Sequence, residues 1–300
     1  MENLKKQQIA NALRTYCDRY ASQNKAANSL KNVSAATISQ MLNGNWDLIK
    51  DEMWRNVAAQ IGYKENKWAT VETSVYQRMM AILKDAKASS LVMGITGDAG
   101  AGKTFTCKQF EESNKQVYLL CCNEYWNRKL FLTTLLTALG CDYRGFTVGE
   151  MMAEAVRVLK MQESPLIILD EADKLSDQVL YFFITLYNQL EDECGIVLCA
   201  TNFLEKRIKR GVDLNKKGYN EIWSRLGRKC VKLSGEEDDK KGGEKKEVGI
   251  TSADITAICV ANGITDKRII DKIIAESDCD LRRVRRRVHA EIGKRSLNAI

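Results

Sequence analysis

The residues Gly97-Asp98-Ala99-Gly100-Ala101-Gly102-Lys103-Thr104 match the pattern G-x-x-x-x-G-K-[ST] in full. An apolar run, LVMGIT at 91–96, precedes them, and a helical pattern follows. Small residues in such a loop let successive backbone N–H groups close around phosphate oxygens. The start of the next helix adds the positive end of its dipole. Lys103 is then able to reach the β- and γ-phosphates of a nucleotide, and Thr104 offers a hydroxyl to Mg²⁺. A second chemical pair closes the run LIILD at 166–170, where Asp170 is followed by Glu171. Asp170 suits the coordination sphere of Mg²⁺, and Glu171 suits the orientation and deprotonation of an attacking water. A third run, GIVLCA at 195–200, ends in Thr201-Asn202. Either side chain fits a group that holds that water or touches the γ-phosphate. Phosphoryl transfer from a nucleoside triphosphate to water is the chemistry these residue types imply.

These groups need a scaffold that brings distant strand ends together. The runs at 91–96, 117–121 (VYLLC), 166–170 and 195–200 are short, continuously apolar and separated by helical stretches. That rhythm predicts a parallel sheet covered on both faces, an α/β core with its ligand at the carboxyl ends of the strands. Pro165, the single proline, falls where a strand begins and no ladder donor is needed. A helix from about Val75 to Lys87 leads into the core. The predicted organisation is a helical domain at 1–62, a linker at 63–75, the nucleotide core at 76–233, a charged flexible connector at 234–250 and a small helical lid at 251–300. The connector contains the low-complexity stretch GEEDDKKGGEKKE at 235–247. The lid shows helical patterns at Ile255–Ala261, Lys267–Ala275 and Leu281–Lys294.

Three hundred residues with 45% hydrophobic composition suffice for one such core and a small extra domain. The ten cysteines contain no C-x-x-C, and His289 is the single histidine, which argues against a structural zinc site. The thiols read as reduced, small core residues. Met1–Ala10 is charged and polar rather than a signal peptide, and no apolar run approaches the ~20 residues of a membrane span. A cytoplasmic protein without a membrane partner is the expectation.

The N-terminal pattern runs through Ile9, Leu13, Tyr16 and Tyr20, then a short helix around Ala26–Leu30, then a helix opening at Ser34, an N-cap residue type. Asn43-Gly44 stops that helix, and Met53, Trp54, Val57 and Ile61 mark another. Ala27, Val33, Ile38 and Met41 fit the packed positions of a repressor-type helix-turn-helix, which this segment resembles although its turn lacks the usual glycine. Ser34, Ala35, Ala36, Thr37, Ser39, Gln40 and Asn43 then face the groove. Few of them can read bases bidentately, so DNA contact here predicts weak sequence preference. A helical protein-interaction module fits the same pattern. Basic residues cluster at Lys206, Arg207, Lys209, Arg210, Lys216 and Lys217, and again at Arg282, Arg283, Arg285, Arg286 and Arg287. With a net charge of +7, they suit salt-sensitive, non-specific binding to double-stranded DNA. Tyr125 and Trp126 are candidates for exposed contacts or for the core.

The phosphate loop, the acidic pair and the polar strand end, in this order, resemble the AAA+ family of P-loop NTPases. The resemblance spans residues 75–295 and implies ATP and Mg²⁺ as cofactors and an ATPase activity. It also implies that Ser224-Arg225-Leu226-Gly227-Arg228 carries an arginine acting on a neighbouring subunit's nucleotide, with Arg225 first and Arg228 second. Arg282, in Asp280-Leu281-Arg282-Arg283, corresponds to a lid residue facing the γ-phosphate. With the helix-turn-helix in front, and with Leu169–Asp173 and Trp223-Ser224-Arg225, the whole chain resembles the phage Mu B transposition protein family. That resemblance implies ATP-bound homo-oligomeric filaments on duplex DNA, selection of transposition targets, activation of a transposase and a bacterial or mobile-element origin. The charged stretch at 235–247 and Thr201-Asn202 depart from the family pattern. An AAA+ helicase loader and a nucleotide-switched helix-turn-helix regulator are the competing expectations.

Overall fold

A computed structural model describes residues 1–63, 68–238 and 245–297. The chain opens with α1 (Asn3–Cys17), α2 (Gln23–Asn28), α3 (Ala35–Leu42) and α4 (Asp51–Gln60). Side-chain caps set two of the starts: Ser22 accepts the Lys25 N–H at 3.3 Å, and Ser34 accepts the Thr37 N–H at 3.1 Å. Ile9, Leu13, Ala27, Val33, Ile38, Met41, Trp54 and Val57 form the apolar centre. The turn between α2 and α3 does without a glycine because Asn32 takes the left-handed conformation, φ 58°, which asparagine tolerates better than most residues. This helical unit docks on the core. Arg19 pairs with Glu111 at 3.2 Å, both largely covered. The Asn28 amide donates to the Gly140 carbonyl at 3.3 Å. Gly140 sits at φ 69°, and a Cβ there would lie 2.4 Å from the Lys25 carbonyl.

The core follows as α5 (Ser74–Ala88), β1 (Val92–Thr96), α6 (Lys103–Ser113), β2 (Val117–Cys121), α7 (Arg128–Ala138), α8 (Val148–Lys160) and β3 (Leu166–Asp170). It continues through a short 3-10 turn, Ala172–Lys174, then α9 (Asp177–Leu190), β4 (Gly195–Ala200), α10 (Asn202–Asp213), α11 (Tyr219–Arg225) and β5 (Cys230–Lys232). The five strands are parallel in the order β2-β3-β4-β1-β5. β3 and β4 are buried along their whole length, as strands covered on both faces must be. One apolar cluster joins one face of the sheet to α7, α8, α9, α10 and α11. The other joins the opposite face to α5, α6 and the C-terminal helices. β5 gave no apolar run in the sequence, because only Cys230 of its three residues is fully buried.

Beyond β5, within the stretch expected as a charged flexible connector, two short strands are described. β6 (Gly235–Asp238) and β7 (Lys245–Val248) pair antiparallel, Gly235 opposite Val248 and Asp238 opposite Lys245. Composition does not display this backbone pairing, and residues 239–244 of the expected connector lie outside the described residues. The C-terminal unit is α12 (Ser252–Ala261), α13 (Lys267–Ser277) and α14 (Leu281–Leu297). The segment read as a linker is held against it where it is described. Ala69 exchanges two hydrogen bonds with the Asn262 side chain, at 3.0 and 3.1 Å. Trp68 stacks on His289 at 5.5 Å, with the Arg285 guanidinium over its ring at 5.3 Å. Asp254 caps α12 and also accepts from the Ser74 N–H and hydroxyl, at 2.9 and 2.7 Å, tying the start of α5 to the start of α12. No helix among the described residues is long and apolar enough to cross a membrane. Most cysteines are buried, Cys121 and Cys279 being exposed.

Candidate functional site

β4 lies between β1 and β3. The end of β4 therefore sits between the loop that follows β1 and the acids that follow β3. Gly97–Gly102 link β1 to α6, with Gly100 and Gly102 at φ 84° and 90°. Both are left-handed positions that favour glycine. A Cβ on Gly100 would fall 2.1 Å from an Asp280 oxygen, and one on Gly102 would fall 3.3 Å from Leu281. The Leu281 N–H donates to the Gly100 carbonyl at 3.0 Å. The first turn of α14 thus rests directly on the glycine-rich loop. On the other side the Asp98 N–H donates to Ser234 at 2.7 Å. Ala99 and Ala101 complete the loop with side chains too small to block its concave side. The Lys103 ammonium donates to the Gly97 and Asp98 carbonyls, at 2.7 and 2.8 Å. Burial pushes its pKa down, opposed chiefly by the charge of Asp170.

Asp170 is fully buried, and its Oδ1 accepts the Glu171 N–H at 3.0 Å. Its Oδ2 has no protein partner among the described residues. Burial raises this carboxyl above the usual range, while the nearby Thr104 hydroxyl and Lys103 charge pull it back. A buried carboxylate with a free oxygen beside a threonine hydroxyl is a donor set that fits Mg²⁺, a hard cation taking oxygen ligands. The positive-φ glycines, Lys103 and the start of α6 fit a triphosphate. Glu171 adopts φ 56° and ψ 38°, and its carboxylate pairs with Lys174 at 2.6 Å.

The structure separates the two polar residues after β4. Thr201 is the N-cap of α10 and donates to Asp173 at 2.6 Å. The Asn202 amide donates to Asp98 of the loop at 3.2 Å, and its carbonyl oxygen is buried with no partner among the described residues. Asn202, not Thr201, faces the phosphate loop. Sequence reasoning gave no role to two residues of this neighbourhood, Asp173 and Asp280, although both fall within motifs it quotes. Helix-start rules offered a signal for the second, since Asp280 caps α14 through the Arg282 N–H at 2.7 Å.

The arginines divide. Arg225 ends α11, bonded to Asn188 at 2.7 and 3.2 Å and set over the Tyr187 ring at 5.1 Å. These contacts hold it on α9, not on its own phosphate loop. Arg228 is exposed just beyond, at φ 56°. Arg282 is exposed on the first turn of α14, next to the residues that touch Gly100. Among the basic residues predicted for DNA, Lys206, Lys209 and Arg210 are exposed, Lys209 pairing with Glu205 at 2.7 Å. Arg207 is turned inward. It pairs with Asp177 and donates to the Leu175 and Asp173 carbonyls at 2.6 and 3.3 Å. Carbonyls and a carboxylate left by the turn after β3 draw it away from the surface, so it offers no free charge to DNA. On the N-terminal unit, Ser34 and Ala36 are exposed and Ala35, Thr37, Ser39 and Gln40 partly so. Asn43 bonds Ser39 at 3.2 Å. Tyr125 is exposed, whereas Trp126 is buried against Phe131.

Residues 86–208 match the family described as AAA domain. No curated protein matches the chain. Among solved structures, the chain is similar to the Aeropyrum pernix Orc1 protein in complex with DNA. The TM-score is 0.51 and the identity 17%, over 77% of this chain and 63% of that one. The chain therefore spans less than two thirds of that protein's solved length. Similarity to Drosophila ORC bound to DNA is lower, with a TM-score of 0.43 and 15% identity over 74% of this chain and 55% of that one. A strand inserted between the one that carries the phosphate loop and the one that carries the acidic pair, with a helical lid resting on the loop, is the AAA+ form of the P-loop NTPase fold, and this chain has it.

Proposed function

We propose that this chain is a DNA-dependent ATPase that oligomerises on duplex DNA, marks that DNA as a transposition target and activates a transposase. The observation that carries the ATPase half is the convergence of Lys103, Asp170 and Asn202 on one loop, with Asp170 Oδ2 buried and unpartnered there. Lys103 binds the β- and γ-phosphates, Thr104 and Asp170 hold Mg²⁺, Glu171 activates water and Asn202 orients it. Arg225 sits on another helix and serves a neighbouring subunit, with an always-charged fork suited to phosphate. The shared site makes ATP the joint between subunits, and hydrolysis loosens it.

The DNA half rests on the exposed Lys206, Lys209 and Arg210 and on the capped helix pair α2–α3. The Aeropyrum pernix protein of like fold was solved in complex with DNA. Electron microscopy with duplex DNA and a slowly hydrolysed ATP analogue tests the proposal, with filaments the expected result. Glu171→Gln should trap stable DNA-bound oligomers. If that variant stays monomeric with ATP and DNA, the shared site is wrong. Preference for single strands would turn the reading toward a helicase loader, and one discrete footprint toward a regulator.

A further inference from the structure

The N-terminal unit and the core enclose a cleft along their junction. Two cavities lie there, of about 460 and 340 Å³, and they share Asp18, Tyr20 and Lys115, so they form one channel. Its walls are already joined. Arg19 pairs with Glu111, the Asn28 amide bonds the Gly140 carbonyl, and Gly140 leaves no room for a Cβ beside Lys25. The N-terminal wall carries Arg14, Arg19 and Lys25, and the core wall carries Lys115 and Arg157. Among the described residues Asp18 is the one acid on the lining. Glu111 and Glu154 stand behind it, paired with Arg19 and Arg157. Five cations against three acids leave a surplus of two positive charges. Arg14 keeps its charge, because its partner is a neutral carbonyl, that of Leu42 at 3.2 Å. Lys115, in the turn between α6 and β2, is exposed, and its ammonium has no partner among the described residues.

The neighbours of Lys115 set it apart from a solvated lysine. It lines one cavity together with Arg14, Ser22, Gln23 and Asn43, side-chain types that bind phosphate oxygens. Cations border both cavities rather than one point, which suits a polyanion better than a single small anion. The cleft is also continuous with the outward face of α3. Ile38 and Met41 are buried on one side of that helix, while Ala36 and Asn43 are exposed on the other with Gln40 between them. A duplex strand that follows this face reaches the cleft at Asn43.

We infer that this cleft is a second phosphodiester-backbone site, in which Arg14, Lys25 and Lys115 take the strand that leaves α3, so that one duplex bridges the N-terminal unit and the nucleotide core. The inference rests on the reading of α2–α3 as a duplex-binding pair. Because the walls are joined beforehand, the phosphates meet a preformed site. The core is then held to DNA beyond the far end of α6, the helix that begins at Lys103 of the phosphate loop and ends at Ser113.

Fluorescence anisotropy of a linear mixed-sequence duplex tests this, titrated with the full chain over a range of salt with Mg²⁺ and a slowly hydrolysed ATP analogue. Lys115→Ala should reduce the slope of log affinity against log salt by about 0.9 and weaken binding about eightfold at 0.1 M salt. Arg14→Ala should do the same, and Lys115→Arg should keep both slope and affinity. Melting temperature and DNA-free ATP turnover should not change in Lys115→Ala. Saturating duplex should also protect Lys115 from acetylation, read by mass spectrometry, by a larger factor than Lys84, which is exposed on α5. An unchanged slope in Lys115→Ala, or acetylation of Lys115 undiminished by DNA, overturns the inference. Gln40→Glu, which puts a negative charge on the outward face of α3, separates the two levels. Weaker binding by Gln40→Glu with an indifferent Lys115→Ala removes the cleft alone, whereas indifference of both also removes the duplex-binding reading of α2–α3.

Discussion

Gly100→Ala makes a quantitative test of the contact between lid and phosphate loop. The substitution does two things. It places an L-residue at φ 84°, which costs about 1–2 kcal/mol. It also puts a methyl group 2.1 Å from Asp280 Oδ1 and 2.4 Å from its Cγ. The carboxylate must move by more than an ångström to reach ordinary contact, about 3.5 Å. That motion breaks its cap on the Arg282 N–H, now 2.7 Å, at about 1 kcal/mol. Gly100→Ala should therefore cost about 2–3 kcal/mol. Asp280→Ala alone should cost about 1 kcal/mol, the cap only. The double variant has no carboxylate to collide with and no cap left to lose, so it should be no worse than Gly100→Ala. Additivity would make it about 1 kcal/mol worse, and residues out of contact add within about 0.5 kcal/mol. Urea unfolding of the four chains measures the cycle, and the shift in midpoint on adding ATP analogue and Mg²⁺ reports the loop itself. Strictly additive costs would refute the reasoning, because the lid would then not rest on the loop.

Arg207→Ala should lower stability by about 2 kcal/mol, the cost of breaking a largely covered pair discounted for the half-exposed Asp177. It should leave the salt dependence of DNA affinity unchanged. Lys206→Ala and Arg210→Ala should instead each reduce the slope of log affinity against log salt by about 0.9. Thr201→Ala should cost about 1 kcal/mol in thermal unfolding, as a lost helix cap. Asn202→Ala should leave the melting temperature nearly unchanged and reduce kcat roughly 100-fold. Asp170→Asn should abolish Mg²⁺-dependent turnover while raising the melting temperature of the nucleotide-free chain at neutral pH. The Asp170 carboxyl is raised by burial, so the folded state holds its proton more tightly than the unfolded state. Stability accordingly falls as pH rises from the unfolded value through the folded one, and the deficit persists above it. The gain from asparagine, about 1 kcal/mol, should disappear as pH drops below the ordinary carboxylate range.

The sequence displayed best what burial writes into composition. β3 and β4 coincide with LIILD and GIVLCA, because a strand covered on both faces must be apolar throughout, and VYLLC marks the edge strand β2, buried except toward Cys121. β5 escaped notice because its Cys-Val-Lys core is short and half-covered. The pairing of β6 with β7 escaped because register between charged residues leaves no hydrophobic trace. Trp68 falls in the expected linker yet carries a signal against it: a large aromatic in a polar stretch needs a surface, here His289 and Arg285. At the site, helix-start rules could not choose between Thr201 and Asn202, since both are N-cap types; the fold makes Thr201 the cap and leaves Asn202 to the loop. The inward turn of Arg207 was not within reach. A run of cations carries no mark of which member meets an acid far away in the chain.

That same arginine shows how the parts of the site are kept in register. Thr201 holds Asp173 in the turn after β3, and Arg207, one and a half turns farther along α10, holds the Asp173 and Leu175 carbonyls of that turn. Asp177, at the start of α9, takes both Arg207 and the Tyr219 hydroxyl, the latter at 2.7 Å. Tyr219 opens α11, the helix that ends in Arg225. Its ring packs so close to Gly211 that a Cβ there would lie 2.3 Å away, so α10 and α11 meet face to face. The turn bearing Glu171 and the helix bearing Arg225 are therefore one hydrogen-bonded unit, with partners satisfied at each step. In the shared site proposed above, displacement of Arg225 by a neighbouring subunit's phosphate should therefore be felt at the acidic turn of its own chain, through the hydrogen bonds that join α11 to that turn.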